Sequence, residues 1–400
     1  MSEQAPIYFN PWDPAFRDNP YPHYGALHAG PPHIMEFGAM KIALVARYAD
    51  VIRVMHDHAT FSNMGPPPPK EAYQGRLAGS RNLLGVDPPD HTRLRKLISR
   101  DFTPRRIREL EPRIREIAAG ILDEAQRKHE FDIVKDMANV LPVTVIAEML
   151  GVPSDLHATF KHWSDKLIDA GNNLPGTPTP PDVVRTIDEL TDYFQAEIEN
   201  RRQHPGPDLV SALVRAHHEA DALSAVDLLN FVSLLLIAGN ETTTNLIGNG
   251  TLALMRNPDQ FALLRKNPEM LPRAIEEMLR YDGPVQSTVR FPKSNADVGG
   301  REIPAGAIAF IILAAANRDP AKFPNPENFD ITREPNDHVA FGEGIHFCIG
   351  APLARLEATI AFSATFDRFK HLNLKDPGFK PTYKGSYILR GLESMPMAFE

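Results

Sequence analysis

The sequence predicts a mainly α-helical protein with small β-sheets (α+β), and three patterns support this fold class. Helical periodicity fills most of the span from Pro88 to Asp282 in a chain of 400 residues. Short β-type runs lie outside that span. No Gly/Ser linker, low-complexity tract or internal repeat divides the chain. We therefore expect one domain over residues 1–400, with an α-rich lobe and a β-rich lobe, the latter formed by about 1–65, 284–335 and 375–400.

The individual elements follow from local patterns. Residues 33–37 and 41–45, separated by Gly38-Ala39-Met40, are typical of a β-hairpin. Further short strands are expected after Pro284, at 387–389 and at 395–399. Residues 64–86 and 170–181 are rich in proline and glycine and predict two long loops. Such loops often act as lids or binding loops, and surface disorder is the alternative.

Composition restricts the classes of function. The formal net charge of −8 argues against nucleic acid as a partner. The N-terminal residues have neither the basic nor the apolar region of a signal peptide. No apolar run is long enough to span a bilayer. We expect a cytoplasmic protein without membrane attachment.

One long helix is predicted to begin near Ser224, where Ser224 and Asp227 resemble a capping box, and to continue to about Arg256. Such a helix is about 50 Å long. Its middle, residues 238–244, contains glycine, asparagine and three threonines, which are poor helix formers. An acid beside a hydroxyl within an apolar helix suits the relay of protons. A solvated kink is the alternative, although the preceding apolar run 234–237 indicates burial.

The chain contains one cysteine, Cys348. A single thiol can serve as the one protein ligand of a metal that brings its other ligands, as haem iron does. Flanking glycines permit positive φ, and a helix start with Pro352 in its first turn follows the cysteine. The helix N-terminus would stabilise a thiolate. The alternative is that Cys348 is a small buried apolar residue.

Residues 341–350 resemble the Phe-Gly-x-Gly-x-His-x-Cys-x-Gly signature of the cytochrome P450 superfamily in its soluble bacterial form. The resemblance implies a triangular prism with haem between the long central helix and the helix after the cysteine loop. It also implies that Cys348 is the axial ligand of the haem iron, that Phe341 packs beside the sulfur and that His346 faces a haem propionate. Gly342 and Gly350 belong to the same cofactor-binding loop.

Two further segments resemble motifs of this family. Ala238-Gly239-Asn240-Glu241-Thr242 matches its central-helix motif. The resemblance implies that the helix passes over the haem at Ala238 and Gly239, that Thr242 holds dioxygen and its water, and that Glu241 links this site to bulk protons. Glu277-Met278-Leu279-Arg280 matches the Glu-x-x-Arg motif. With Arg333, this pair is implied to form a buried network with a role in folding, a surface ion pair being the alternative.

The resemblance also assigns His91, Arg95 and Arg290 to the haem propionates. His91 and Arg95 are four residues apart and share one helix face. Neighbouring cations on the same helix form a basic patch, for which we expect an acidic ferredoxin as partner, and a solvated helix face is the alternative. That patch consists of Arg93, Lys96, Arg100 and Arg105.

The implied activity is that of a haem-thiolate monooxygenase. It would contain haem b and use O2 with electrons from NAD(P)H, delivered by a separate ferredoxin and reductase to a monomeric enzyme. A peroxygenase driven by hydrogen peroxide and a non-catalytic haem sensor or carrier are the alternatives. By position in the family, the residues that border the substrate are Ile237, Val285, Gln286, Ser287 and Ile388. Arg76 or Arg81 could pair with a substrate carboxylate, but their position in a loop favours a solvated arginine.

Overall fold

Helices dominate the fold. The computed structural model describes residues 7–38, 40–65, 82–171, 179–220, 225–386 and 388–400. The α-helices in these residues are α1 Pro14–Asp18, α2 Tyr24–His28, α3 Tyr48–His56, α4 Asp90–Ile98, α5 Pro104–Glu109, α6 Glu111–Lys128, α7 Val140–Leu150, α8 His157–Gly171, α9 Pro181–Gln203, α10 Leu209–Ala220, α11 Ala225–Arg256, α12 Pro258–Lys266, α13 Leu271–Tyr281, α14 Leu313–Ala316 and α15 Ala351–Arg368. The mainly helical fold class with small sheets is confirmed.

The strands in the described part of the chain form three small sheets. Their bounds are β1 His33–Phe37, β2 Met40–Val45, β3 Phe61–Ser62, β4 Phe131–Asp132, β5 Thr288–Pro292, β6 Ala296–Val298, β7 Arg301–Ile303, β8 Ile308–Ile311, β9 Leu372–Leu374 and β10 Pro396–Phe399. The largest sheet has the order β1-β2-β8-β5-β3, in which only β2 and β8 are parallel. The others are β4-β10-β9 and β6-β7. The predicted hairpin at residues 33–45 is confirmed as the β1–β2 pair.

Helix α11 forms the centre of the helical part. It has 32 residues, which corresponds to a length of about 48 Å. It packs against α7, α13, α15 and a π-helical turn at Ile133–Ala138. Its apolar side chains, such as Leu228, Val232 and Leu236, are buried in the main hydrophobic core. The predicted helix end at Arg256 is confirmed, and Ser224 lies outside the described residues.

Helices fill most of the described part of the span from Pro88 to Asp282, as predicted, and one strand that was not predicted lies within it. Strand β4 interrupts them and pairs with β10 near the chain's other end. The side chain of Asp132 caps the π-helical turn that follows, through the N–H groups of Val134 and Lys135. Within the predicted loop at 64–86, a 3-10 turn forms at Leu83–Gly85. Residues 66–81 and 172–178 lie outside the described residues.

A second antiparallel feature brings the C-terminal region to the central helix. We call residues 383–386 and 388–392 the C-terminal hairpin, because Tyr383 pairs with Leu392 across it. The second half of the hairpin pairs with the segment before β5, through an antiparallel bridge between Leu389 and Val285. Two backbone hydrogen bonds of 2.8 Å reinforce that contact, from Gln286 N to Ile388 O and from Arg390 N to Pro284 O. None of the helices in the described residues combines the length and the apolar character that crossing a bilayer requires.

Candidate active site

The loop before Cys348 is shaped by two glycines in the left-handed region. Gly342 and Gly344 have φ of +72° and +69°. A Cβ at position 344 would lie 2.6 Å from the backbone oxygen of Met55, so only glycine allows this close approach to α3. Cys348 N donates to Phe341 O at 2.9 Å and closes the loop. The expectation of positive φ on both sides of the cysteine was wrong for Gly350, which has φ −82° and precedes α15.

The Cys348 thiol lies at the start of α15. Burial raises its pKa, and the Gly350 N–H and the Arg95 guanidinium oppose that shift only in part. A buried thiol therefore has to gain a cation partner before its thiolate form is favoured. Arg95 also donates from Nη2 to Phe347 O at 2.5 Å, which ties α4 to the cysteine loop.

A second group of side chains supports the loop from behind. The Arg355 guanidinium lies 4.5 Å from the ring centroid of Phe341. Arg355 Nε and Nη2 donate to Glu276 at 2.7 and 2.8 Å, and His338 Nε2 lies 3.0 Å from Glu276 Oε2. Burial would raise the pKa of Glu276, but the hydrogen bonds from Arg355 and His338 hold it at about 2. Sequence reasoning missed these residues, since their pairing joins segments about 62 to 79 positions apart.

The residues assigned to the propionates come together around the loop, and none of them forms an ion pair with a carboxylate among the described residues, although the Asp87 carboxylate acts on Arg290 and His346 from a greater distance. The rings of His91 and His346 are 4.1 Å apart, and the Nε2 atoms of both are buried without a hydrogen-bond partner among the described residues. Burial lowers the pKa of His346 to about 3, and the positive charges of His91 and Arg290 act in the same direction. Burial also lowers the pKa of Arg290 to about 10. Arg290 is 3% exposed and donates to Val289 O at 2.8 Å and Thr288 Oγ1 at 3.4 Å.

This cluster fits an anionic group. The Nε2 atoms of His91 and His346 are buried without hydrogen-bond partners among the described residues, which is costly in a folded protein, and the buried Arg290 guanidinium carries its charge beside them. Carboxylates of a ligand would provide acceptors for Arg290 and for the histidines. Together with the single buried thiol nearby, the donor set matches a ligand that carries both a metal and carboxylates.

On α11, the acid and the hydroxyl of the predicted proton site have different partners. Glu241 is 3% exposed, and its Oε1 accepts a 2.8 Å hydrogen bond from Lys384 Nζ. Thr242 Oγ1 donates to the carbonyl of Ala238, one turn earlier, at 2.7 Å. A Cβ at Gly239 would lie 3.2 Å from Ile146 Cδ1, so the glycine permits close packing against α7. Sequence reasoning missed Lys384, which lies 143 positions from its partner and carries no local signal.

The Glu277 carboxylate is the centre of a buried network. Arg280 Nε and Nη2 donate to it at 2.7 and 2.8 Å, and Arg333 Nε lies 3.2 and 3.3 Å from its two oxygens. The side chains of Glu277 and Arg280 are 0% exposed. Asn336 Nδ2, at 3.2 Å, is a fourth member that the motif did not indicate. Because this pair is fully buried, the alternative of a solvated surface ion pair is wrong.

The residues expected to contact the substrate do not all lie in one place. Val285 and Ile388 lie on the paired segments of the sheet start and the C-terminal hairpin. Gln286 and Ser287 line a cavity of about 30 Å³ whose other walls include the N-terminal residue Phe9. Gln286 Nε2 donates to Gly283 O at 2.7 Å, and Ser287 Oγ has no partner among the described residues. The side chain of Ile237, with Arg76 and Arg81, lies outside the described residues.

Comparison with known proteins identifies the family. The family model described as cytochrome P450 matches residues 23–394. The chain belongs to the cytochrome P450 family. This P450 is 47% identical over 319 residues to cytochrome P450 CYP107DY1 of Priestia megaterium, covering 80% of this chain and 77% of the relative. It is 40% identical over 386 residues to the vitamin D(3) 25-hydroxylase of Pseudonocardia autotrophica, covering 96% and 94%.

A solved structure gives the same result for the fold. The cytochrome P450 PksS of the Bacillus subtilis bacillaene polyketide synthase matches with a TM-score of 0.88 and 37% identity, covering 98% of this chain and 99% of that chain. The fold of this P450 is therefore the cytochrome P450 fold. Its relatives are named as monooxygenases and hydroxylases, and this P450 is a monooxygenase. Membership of the family implies haem as cofactor and O2 as co-substrate.

Proposed function

We propose that this P450 inserts one atom of O2 into a small, mainly apolar organic substrate, with electrons from NAD(P)H that arrive through a separate ferredoxin and reductase. The observation that carries the proposal is the cluster of the buried His91 and Arg290 and the half-buried His346 beside the Cys348 loop, where both imidazole Nε2 atoms lack a hydrogen-bond partner among the described residues. Two propionates would satisfy this cluster, and Cys348 would provide the axial thiolate.

Each binding residue has a distinct task in this proposal. Cys348 would hold the iron, with Gly342, Gly344 and Phe341 shaping the loop around the sulfur. His91, Arg95, Arg290 and His346 would bind the propionates, and Ala238 and Gly239 would border the opposite face. Bound haem supplies the redox chemistry by which O2 is activated. The polypeptide binds the haem, orients the substrate, excludes water from the site and moves protons to it.

Glu241 and Thr242 are the proposed catalytic residues, because dioxygen chemistry of this class consumes protons. The Thr242 hydroxyl donates its proton to the Ala238 carbonyl, so its oxygen lone pairs remain available to accept a hydrogen bond. Glu241 would carry protons between solvent and Thr242. We expect Thr242→Ala to release peroxide in place of product, and unchanged product per electron would contradict this role.

The proposed substrate is a small organic molecule that is mainly apolar. One relative is named a vitamin D(3) 25-hydroxylase, and one solved structure is named as the P450 of the bacillaene polyketide synthase, so these two compound classes are the first candidates. Val285 and Ile388 are the proposed apolar contacts, with Ile237, Gln286 and Ser287 as further candidates. Screening vitamin D3 and similar compounds for a blue shift of the Soret band tests this class directly.

The proposed electron donor is an acidic ferredoxin that binds the basic patch. Two cations of the patch have carboxylates nearby: Arg93 lies 3.6 Å from Asp90, and Arg105 lies 3.5 Å from Glu109. Lys96 and Arg100 therefore carry more of the expected effect on association rate. Charge-reversal variants of these two should slow reduction at low salt but much less at high salt. We further propose that the enzyme is a monomeric cytoplasmic protein with one domain over residues 1–400.

The decisive test combines a spectrum with turnover. The reduced, carbon-monoxide-treated holoprotein should absorb far to the red of the haemoglobin complex, and Cys348→Ser should lose that band. Product should form with NAD(P)H, reductase and ferredoxin. Equal product with hydrogen peroxide alone would favour the peroxygenase, and electron consumption that no compound alters would favour a sensor or carrier.

A further inference from the structure

Glu241 forms its ion pair with a lysine from the opposite end of the chain. Lys384 Nζ lies 2.8 Å from Glu241 Oε1, and the side chains are 28% and 4% exposed. This is the only ion pair of Glu241 among the residues that the structure describes. We infer that Lys384 is a positioning residue that keeps Glu241 ionised and aimed at the solvent side of α11. The inference rests on the proton-carrying role proposed for Glu241.

The ion pair matters because the Glu241 carboxylate is buried. A carboxylate removed from water loses much of its solvation and tends to take up a proton unless a charge compensates it. Lys384 supplies that charge. It is also the more exposed partner, so it connects a buried acid with bulk water. Without the ammonium group, the buried Glu241 carboxylate would have no ionic partner among the described residues.

The C-terminal hairpin holds Lys384 in place. Lys384 N donates to Gly391 O at 2.9 Å, next to the Tyr383–Leu392 pair. On the other strand of the hairpin, Arg390 Nε donates to Asp282 at 2.8 Å, and its guanidinium lies 3.6 Å from the ring centroid of Tyr383. The backbone that carries Lys384 is thus fixed by groups that do not touch Glu241.

A glycine lets this hairpin approach the central helix closely enough. A Cβ at Gly391 would lie 1.7 Å from Oδ1 of Asn245, which is one turn beyond Glu241 on α11. Asn245 is 1% exposed. The absence of a side chain at position 391 therefore allows the hairpin to reach the helix, and Lys384 then spans the remaining distance to the carboxylate.

The proposed mechanism consists of two proton transfers through Glu241. A hydrated proton from bulk solvent, arriving at the exposed end of Lys384, protonates the Glu241 carboxylate and leaves water behind, and the resulting carboxylic acid gives one proton to the acceptor held at Thr242. Glu241 returns to the carboxylate, and no electron moves in either step. Lys384 stays charged throughout and restores the ionised state of Glu241 after each transfer.

The first readout concerns the protonation state and does not depend on turnover. Infrared spectra at pH 7 are compared for the wild type, Lys384→Met and Lys384→Arg, each against the same protein carrying Glu241→Gln. The carbonyl band of a protonated carboxyl should appear in the difference spectrum of Lys384→Met only. Arginine should prevent it by restoring the charge.

The second readout concerns proton delivery in the holoenzyme. Oxidation of NAD(P)H is followed in H2O and D2O with plant ferredoxin and its reductase as electron source. Lys384→Met should slow oxidation about tenfold, which is less than the roughly 10²–10⁴-fold contribution of a general acid–base group because Glu241 itself stays in place. It should also increase the solvent isotope effect, and Lys384→Arg should recover most of the rate.

Lys322→Met is the matched control. Lys322 Nζ also lies 2.8 Å from its carboxylate, Asp337, and its side chain is 30% exposed, but Asp337 is 62% exposed. This variant should behave as the wild type in both readouts. Absence of the carboxyl band in Lys384→Met, or an unchanged rate and isotope effect, would overturn the inference. A band in Lys384→Met together with normal oxidation in Glu241→Gln would instead overturn the proposed role of Glu241.

Discussion

Replacement of Arg280 by methionine should strongly destabilise the fold, because every N–H group of the guanidinium donates a hydrogen bond. Its five N–H groups make five hydrogen bonds: two to Glu277, and three to the carbonyls of Asn317, Pro326 and Asn328 at 2.9 to 3.0 Å. Methionine has similar reach and apolar character. It would leave the carboxylate and three carbonyls without these donors.

The expected loss is set by the buried ion pair. Breaking such a pair costs about 3–5 kcal/mol, since the remaining charge stays buried. Each stranded carbonyl would add about 1–3 kcal/mol unless water reaches it. Arg333, 3.2 Å from Glu277, compensates part of the charge. We therefore expect a loss of about 3–5 kcal/mol in the free energy of unfolding.

Urea unfolding of the haem-loaded protein, followed by far-ultraviolet circular dichroism, measures this loss as a shift of the midpoint at constant slope. Arg273→Met is the control. The pair of Arg273 and Glu334 is 2.6 Å apart, but the side chains are 47% and 69% exposed. Its loss should cost under about 1 kcal/mol. Equal losses for the two variants would refute the argument from burial.

Three further predictions concern packing and protonation. Gly391→Ala should cost at least about 1–3 kcal/mol because its Cβ meets Asn245, whereas Gly385→Ala, with its nearest atom at 3.6 Å, should be nearly neutral in the same urea assay. Glu276 has a pKa held at about 2 against the ordinary 4.5, so the stability it contributes is present above pH about 4.5 and disappears towards pH 2. The difference in unfolding free energy between wild type and Glu276→Gln should shrink over that window, and a constant difference would contradict the assignment. Burial raises the pKa of Glu357 from 4.5 to about 8, so folding takes up a proton between these values and stability falls as pH rises; Glu357→Gln should remove this slope in thermal unfolding, and an equal slope in both proteins would count against it.

Local patterns were sufficient for much of the fold. The end of α11 at Arg256 and the β1–β2 hairpin were predicted because periodicity and turn residues act within a few positions. The glycines of the cysteine loop were recognised for the same reason, and Gly342 and Gly344 do require positive φ. Gly350 does not, because a glycine in sequence does not reveal which conformation its neighbours impose.

Long-range partners could not be predicted in this way. Strand β4 has two residues and forms because β10, far along the chain, supplies its partner. The contacts of Lys384 with Glu241 and of Arg355 with Glu276 likewise join residues 143 and 79 positions apart. Neither pair has a characteristic spacing, so only the folded arrangement reveals them. Burial also could not be predicted for Glu277, whose motif is equally compatible with an exposed helix face.

The C-terminal hairpin has a consequence for attempts to redesign this enzyme. It carries Ile388, a proposed contact with the oxidised molecule, and Lys384, four residues earlier, which touches the acid of α11. Mutant libraries aimed at Ile388 would therefore alter selectivity and the supply of protons at the same time. Keeping Lys384 and Gly391 fixed during such screens would separate the two effects.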